Sequence, residues 1–148
     1  AAPAAAQFRE TGAAQRRGAP PPPQLTGIDA LRADFRLQTG SDTVYFGGSS
    51  ATLTPQAKLT LQRQAAWLRR NPAVVVNVEG HADAAETRDR ALAVAARRAE
   101  EVRDYLILFG VPPAQVTATS WGKERVAVIG LSDAALAANR RVQTILVR

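Results

Sequence analysis

The sequence predicts an α+β domain, an α/β sandwich in which two main helices pack on one face of a four-stranded mixed sheet. The first observation is the order of the patterns along the chain: strand, helix, strand, helix, strand, a short turn of helix, strand. The second is that capping and breaking residues separate these segments clearly. The third is the ratio of four strands to two main helices. Two main helices cover one face of such a sheet, so a doubly wound fold fits less well.

The first 40 residues divide into two parts. Residues 1–26 contain almost no large apolar side chain, and the run APPPPQ at 19–24 favours extended polyproline II. We expect this part to be a disordered Ala/Pro-rich tether. Residues 27–40 form a lead-in segment whose scattered apolar side chains fit either a short helix or a strand. The folded domain is expected to comprise residues 41–148.

The first strand and the first main helix follow at residue 42. The β-branched and aromatic run DTVYF at 42–46 predicts a strand that Gly47 and Gly48 close. Thr54 is a typical N-cap, and Pro55 suits the first position of a helix. An Asn-Pro pair at 71–72 ends the helix. Within it, apolar residues recur at spacings of four and three: Ala57, Leu61, Ala65 and Leu68.

The next pair of elements is a strand at 73–79 and the second main helix. The run AVVVNVE predicts a strand buried on both faces near its start, in the middle of the sheet. In the helix, apolar residues step by three and four until Gly110 and Pro112 stop it. These residues are Leu92, Ala95, Ala99, Val102, Leu106 and Phe109.

The last elements are shorter. QVTATSW at 115–121 alternates as a strand with one apolar face, and a loop containing Gly122 and Gly130 follows it. Ser132 is a plausible N-cap for the short helical turn SDAALAAN. The run RVQTILV at 141–147 predicts the closing strand.

Composition excludes several classes of protein. The chain has no cysteine, so neither disulfides nor thiolate metal sites are expected. No apolar run is long enough to cross a bilayer and the start lacks signal-peptide features, so the chain as given is expected to be soluble. The net charge of +6 is spread as a mild bias along the chain, which is typical of a solvated basic surface.

Several motifs follow one another in order along the chain. They are V-E-G-H-A-D at 78–83, Thr87, A-R-R-A-E-E-V at 96–102, Y-L at 105–106, G-V at 110–111, S-W-G-K-E at 120–124, A-V-I-G at 127–130 and N-R-R-V at 139–142. Together they resemble the OmpA-like peptidoglycan-binding domain family over about residues 42–147. The GKE…AVIG part is most similar to the lipoproteins of that family.

The resemblance implies a function and a location. It implies non-catalytic binding to the meso-diaminopimelate stem peptides of peptidoglycan, which tethers the outer membrane of a Gram-negative bacterium to its cell wall. It implies a periplasmic domain held at the membrane only through an anchor outside the given chain. It also implies TolB and other proteins of the Tol system as partners, with no cofactor.

The resemblance also implies which residues bind the ligand. The free end of diaminopimelate is a zwitterion, so its receptor needs an anion for the ammonium and a planar cation for the carboxylate. By motif these roles fall to Asp83 and Arg98. Without the resemblance, Asp83 could merely cap the loop and Arg98 could lie on a solvated face. Five further binding candidates follow, of which the last two are expected to be mainly structural: Phe46, Gly47, Thr87, Asn139 and Arg140.

Three residues depart from the family pattern and put ligand affinity in question. Gly47 stands where the family usually has Asp, Glu86 replaces a Gly of the ligand loop, and Ala91 replaces an Asn. Gly47 removes a polar side chain, Glu86 adds negative charge, and Ala91 removes an amide. The alternative function is therefore a degenerate domain that binds proteins and not peptidoglycan.

Enzymatic and nucleic-acid functions find little support. His81 and Asp83 form an H-x-D pair, but no second histidine or cysteine completes a metal site. No G-x-S-x-G or G-K-[ST] motif is present. A sheet that binds RNA needs stacking aromatics on one face, whereas the adjacent Tyr45 and Phe46 point to opposite faces. We therefore expect no catalysis, no metal and no nucleic-acid partner.

Overall fold

The computed structural model describes residues 26–148. Residues 1–25, which carry nearly all of the predicted tether, lie outside the described residues. The helices are α1 Gly27–Thr39, α2 Pro55–Arg70, α3 Arg88–Leu108 and α4 Asp133–Asn139. The strands are β1 Thr43–Tyr45, β2 Val76–Gly80, β3 Val116–Ser120 and β4 Arg141–Leu146, and a 3₁₀ turn, Pro113–Gln115, precedes β3.

The four strands form one mixed sheet in the order β1-β4-β2-β3. β4 runs antiparallel to both β1 and β2, and β2 runs parallel to β3. In β2 and β4, buried side chains alternate with half-buried ones, as expected when helices cover one face. The predicted α+β sandwich with a mixed sheet is therefore confirmed.

Strand β2 is central, but the prediction that it is buried on both faces near its start was wrong. Val74 and Val76 are buried beneath the helices, while Val75 between them is only half-buried. Among the described residues, half-buried side chains of β2 and β4 line the other face of the sheet. The strand also begins later than predicted, because the Val74 N–H donates to the Asn71 carbonyl (3.0 Å) in the turn after α2.

The lead-in segment is helical. Phe35 of α1 is buried and meets the Trp67 ring of α2 edge-on, with ring centroids 5.1 Å apart. The Trp67 indole Nε1 donates to the Asp34 carboxylate (2.8 Å). Arg32 donates through Nε and Nη2 to the Leu146 carbonyl at the end of β4 (3.1 and 2.8 Å). Helix α1 thus packs against both α2 and the sheet.

The predicted helix caps are confirmed. The Thr54 hydroxyl accepts from the Ala57 N–H (3.1 Å) at the start of α2, and the Ser132 hydroxyl accepts from the Ala135 N–H (3.1 Å) at the start of α4. No helix among residues 26–148 is both long and apolar enough to cross a membrane.

The predicted buried stripe of α3 was wrong at both ends. Leu92 lies at the edge of the buried face of α3, and Phe109 is the C-cap residue that follows the helix, so both side chains are exposed. Phe109 instead packs on Tyr105, with ring centroids 4.8 Å apart. The residues of α3 that do face the core are Ala91, Val94, Ala95, Arg98, Ala99, Val102 and Leu106.

The predicted apolar face of the third strand was also wrong beyond its first residue. In β3, Val116 is buried but Ala118 is exposed. The strand lies at the edge of the sheet, where only one neighbouring strand protects it.

Candidate functional site

The loop between β2 and α3, residues 81–87, carries the candidate anion and ends at a well-capped helix. Gly80 closes β2 so near to α3 that a Cβ atom there would lie 2.0 Å from the Ala95 carbonyl oxygen. The Thr87 hydroxyl caps α3 by accepting from the Arg90 N–H (3.3 Å). The close approach brings the loop and the first turns of α3 to the same end of the sheet.

Asp83 is buried at this end of β2 and makes two polar contacts. Its Oδ1 accepts from the Ala85 N–H (2.9 Å), which fixes the loop as an Asx turn does. Its Oδ2 lies 3.2 Å from Nη1 of Arg140, whose Nε donates to the Phe46 carbonyl (3.2 Å). Arg140 therefore joins the loop of residues 81–87 to the end of β1, and it is the partly exposed member of the ion pair.

Arg98 is fully buried, so the reading that places it on a solvated face was wrong. Its neighbour Arg97 is the exposed one. The Arg98 guanidinium donates to three backbone carbonyls and lies 5.3 Å from the centroid of the Phe46 ring. The three bonds run from Nε to Ser50 (2.8 Å), from Nη1 to His81 (3.0 Å) and from Nη2 to Gly48 (2.6 Å).

The electrostatic surroundings of Arg98 are mixed. Burial lowers the pKa of Arg98, the carboxylate of Asp83 raises it, the charge of Arg140 lowers it again and Glu86 raises it. Arginine remains charged in proteins because its ordinary pKa is so high. The site therefore holds two cations and two carboxylates within electrostatic reach of one another.

The segment of residues 47–50 lies over Arg98. The Ser50 N–H donates to the Gly47 carbonyl (2.9 Å) in a tight turn, and Gly48 adopts a positive φ of 52° that favours glycine. Gly47, a predicted candidate, thus shapes this segment through its backbone. The carbonyls of Gly48 and Ser50 cover the guanidinium.

Glu86, recognised in the sequence only as a departure, has specific contacts. Its carboxylate accepts from the Ser49 hydroxyl and pairs with Nε of Arg90 (2.9 Å). Its backbone carbonyl accepts from Nζ of Lys123 (2.7 Å). Sequence reasoning missed Ser49 and Lys123 because both reach Glu86 across 37 residues of chain.

Asn139 contacts another loop and not Asp83 or Arg98. Its Oδ1 accepts from the N–H groups of Ala127 (2.6 Å) and Val128 (3.1 Å), and its Nδ2 donates to the Val128 carbonyl (2.8 Å). These bonds fix the A-V-I-G segment, in which Ile129 is almost wholly exposed. The structure thus places Phe46, Arg140 and Asp83 together and Asn139 apart from them.

His81 is buried beside the site as a neutral side chain. Neither ring nitrogen forms a hydrogen bond among the residues that the structure describes. Burial above all, and then the charge of Arg141, lower the pKa of His81 from 6.5 to about 4. Within residues 26–148, no group of three or more His, Cys, Asp or Glu side chains could hold a metal ion.

Comparison with known proteins identifies the family. Residues 45–140 match the model of the OmpA family. The peptidoglycan-associated lipoprotein of Agrobacterium fabrum is 41% identical over 113 residues, which cover 76% of this chain and 63% of that protein. The peptidoglycan-associated lipoprotein of Pseudomonas aeruginosa is 38% identical over 116 residues, covering 78% and 68%. This chain thus spans a little under two thirds of the length of the Agrobacterium relative.

Solved structures agree with the sequence relatives. The peptidoglycan-associated lipoprotein from Burkholderia pseudomallei superimposes with a TM-score of 0.70 at 34% identity, covering 72% of this chain and 91% of that one. The C-terminal domain of Helicobacter pylori MotB superimposes with a TM-score of 0.68 at 26% identity, covering 72% and 84%. On the family match and these relatives together, the chain belongs to the OmpA family.

Proposed function

We propose that this domain binds peptidoglycan without catalysis, by holding the free end of a meso-diaminopimelate stem peptide. The observation that carries the proposal is the cluster at the end of β2, where Asp83 lies against Arg140 and within electrostatic reach of Arg98. Membership of the OmpA family and similarity to peptidoglycan-associated lipoproteins support it.

The cluster has the chemistry that a zwitterionic ligand needs. The Asp83 carboxylate is suited to the ammonium group, and a guanidinium is suited to the carboxylate because it offers parallel N–H donors. Arg140 is the partly exposed cation of the cluster, while Arg98 is buried beneath residues 47–50. A charge-assisted hydrogen bond contributes about 1.5–3 kcal/mol, so two such contacts with apolar burial give roughly micromolar affinity.

Binding to a polymer with many copies of the ligand is tighter overall than binding to a single stem peptide. Peptidoglycan presents many copies of the same stem peptide, so a released domain rebinds at high effective concentration. We propose that the domain works as a periplasmic tether between the outer membrane and the cell wall, anchored by chain outside the given residues. On the same grounds of similarity, we propose TolB and other Tol proteins as its protein partners.

Co-sedimentation with insoluble peptidoglycan tests the proposal. We expect the full chain to pellet with diaminopimelate-type peptidoglycan and to remain soluble with lysine-type peptidoglycan, whose side chain lacks the terminal carboxylate. Asp83→Asn should release the protein because it removes the charge that holds the ammonium. Asp104→Asn, an exposed change elsewhere on α3, should pellet as the parent does.

Thermal melts must first establish that both variants fold. If folded Asp83→Asn pellets as well as its control, the assigned anion is wrong. If the parent chain does not pellet at all, the alternative of a protein-interaction module replaces peptidoglycan binding.

A further inference from the structure

The binding edge of Arg98 is occupied by the protein itself. Carboxylates bind arginine in a bidentate manner through two neighbouring donors, and Nε and Nη2 form one such pair. In this structure Nε donates to Ser50 and Nη2 donates to Gly48. Both acceptors belong to residues 47–50, and the Arg98 side chain is fully buried. A ligand carboxylate can use this edge only after the segment moves away.

Residues 47–50 are held by few contacts. A Cβ atom added at Gly47 or Gly48 would have no heavy atom within 4 Å apart from its chain neighbours. All four residues are exposed, so apolar packing contributes little to holding them. Besides the bonds to Arg98, the bond within the turn and a local bond from the Thr52 N–H to the Ser50 hydroxyl (2.9 Å), the hydrogen bond that ties this segment to other described residues is that of Ser49 to Glu86.

Glu86 is itself firmly fixed. Its side chain is mostly buried, and its carboxylate is shared between the Ser49 hydroxyl and the Arg90 guanidinium. Nζ of Lys123 donates to its backbone carbonyl (2.7 Å). The carboxylate is therefore a rigid acceptor that faces the segment over Arg98.

We infer that Glu86 is a positioning residue that keeps residues 47–50 closed over Arg98 and thereby controls the access of a ligand carboxylate to that guanidinium. The inference rests on the proposed function, since it concerns the same site. It gives a role to a residue that departs from the family pattern. Glu86 acts here through Ser49 and not by contact with the ligand.

Two variants that remove the same bond from opposite sides test the inference. In the full chain, Glu86→Ala and Ser49→Ala should both speed hydrogen exchange of the Ser50 amide, which is hydrogen-bonded within the segment, by about three- to tenfold, the range for loss of one hydrogen bond. Both should also speed the association of a free tripeptide, L-Ala-γ-D-Glu-meso-diaminopimelate, by a similar factor. Glu100→Gln, an exposed change on α3, should alter neither quantity.

Tripeptide binding and hydrogen exchange in the two variants distinguish the inference from its alternatives. If Glu86→Ala weakens tripeptide binding while Ser49→Ala leaves it unchanged, Glu86 contacts the ligand directly and the inference is wrong. Unchanged exchange of the Ser50 amide in both variants would also overturn it. If the parent chain does not bind the tripeptide, the proposed function fails, and hydrogen exchange still decides whether Glu86 closes the segment.

Discussion

His81 shows how one residue of a family motif can serve the fold. It follows β2 directly, its N–H donates to the Arg141 carbonyl (2.8 Å), and its ring is buried without a hydrogen-bond partner among the described residues. Protonation would place a charge in this apolar setting near two arginines, Arg125 and Arg141, which explains why its pKa lies near 4. The H-x-D pair is thus a structural histidine beside a candidate ligand-binding aspartate.

The depressed pKa predicts a pH dependence of stability. Between pH 6.5 and pH 4 the unfolded chain binds a proton at His81 that the folded chain does not bind, so stability is full above pH 6.5 and falls as the pH drops. A shift of this size corresponds to about 3 kcal/mol at most. Urea unfolding at several pH values should show this slope in the parent and a weaker slope in His81→Leu. Equal slopes would mean that His81 is not buried in its neutral form.

At the scale of elements, the sequence predicted the features that depend on nearby residues better than the features that depend on tertiary contacts. Capping residues such as Thr54 predicted where helices start, because a cap depends only on its own turn. Residues 27–40 stayed ambiguous, since α1 is defined by contacts with distant partners, such as Phe35 with Trp67. The burial of Arg98 likewise could not be predicted from the sequence, because the carbonyl groups that accept its hydrogen bonds lie as far as 50 residues away in the chain.

The packing of β2 against α3 gives a prediction at this scale. Gly80→Ala would force a Cβ atom to within 2.0 Å of the Ala95 carbonyl oxygen, so the two elements must separate. Overpacking of this kind costs about 2–3 kcal/mol of unfolding free energy, measurable by urea denaturation. Gly47→Ala is the matched control, because its added Cβ meets no atom within 4 Å and its φ is not positive. Similar losses in the two variants would refute the close approach.

At the scale of the whole molecule, the fold gathers the site from distant parts of the chain. The loop of residues 81–87 follows β2, Arg98 lies on α3, Arg140 precedes β4, and residues 47–50 follow β1. The sheet order places β4 between β1 and β2, which explains why Arg140 reaches both Phe46 and Asp83. The family motifs predicted Asp83 and Arg98 as candidates, but the closed segment over Arg98 emerged only from the tertiary structure.

The central claim is that the cluster around Asp83 and Arg98 recognises the zwitterionic end of diaminopimelate. The most direct test is calorimetric titration of the full chain with two tripeptides that differ only in their third residue, meso-diaminopimelate or L-lysine. We expect roughly micromolar binding of the first and binding of the second weaker by at least about tenfold, because lysine lacks the carboxylate that a guanidinium would hold. Equal affinities, or no binding of either tripeptide, would contradict the account.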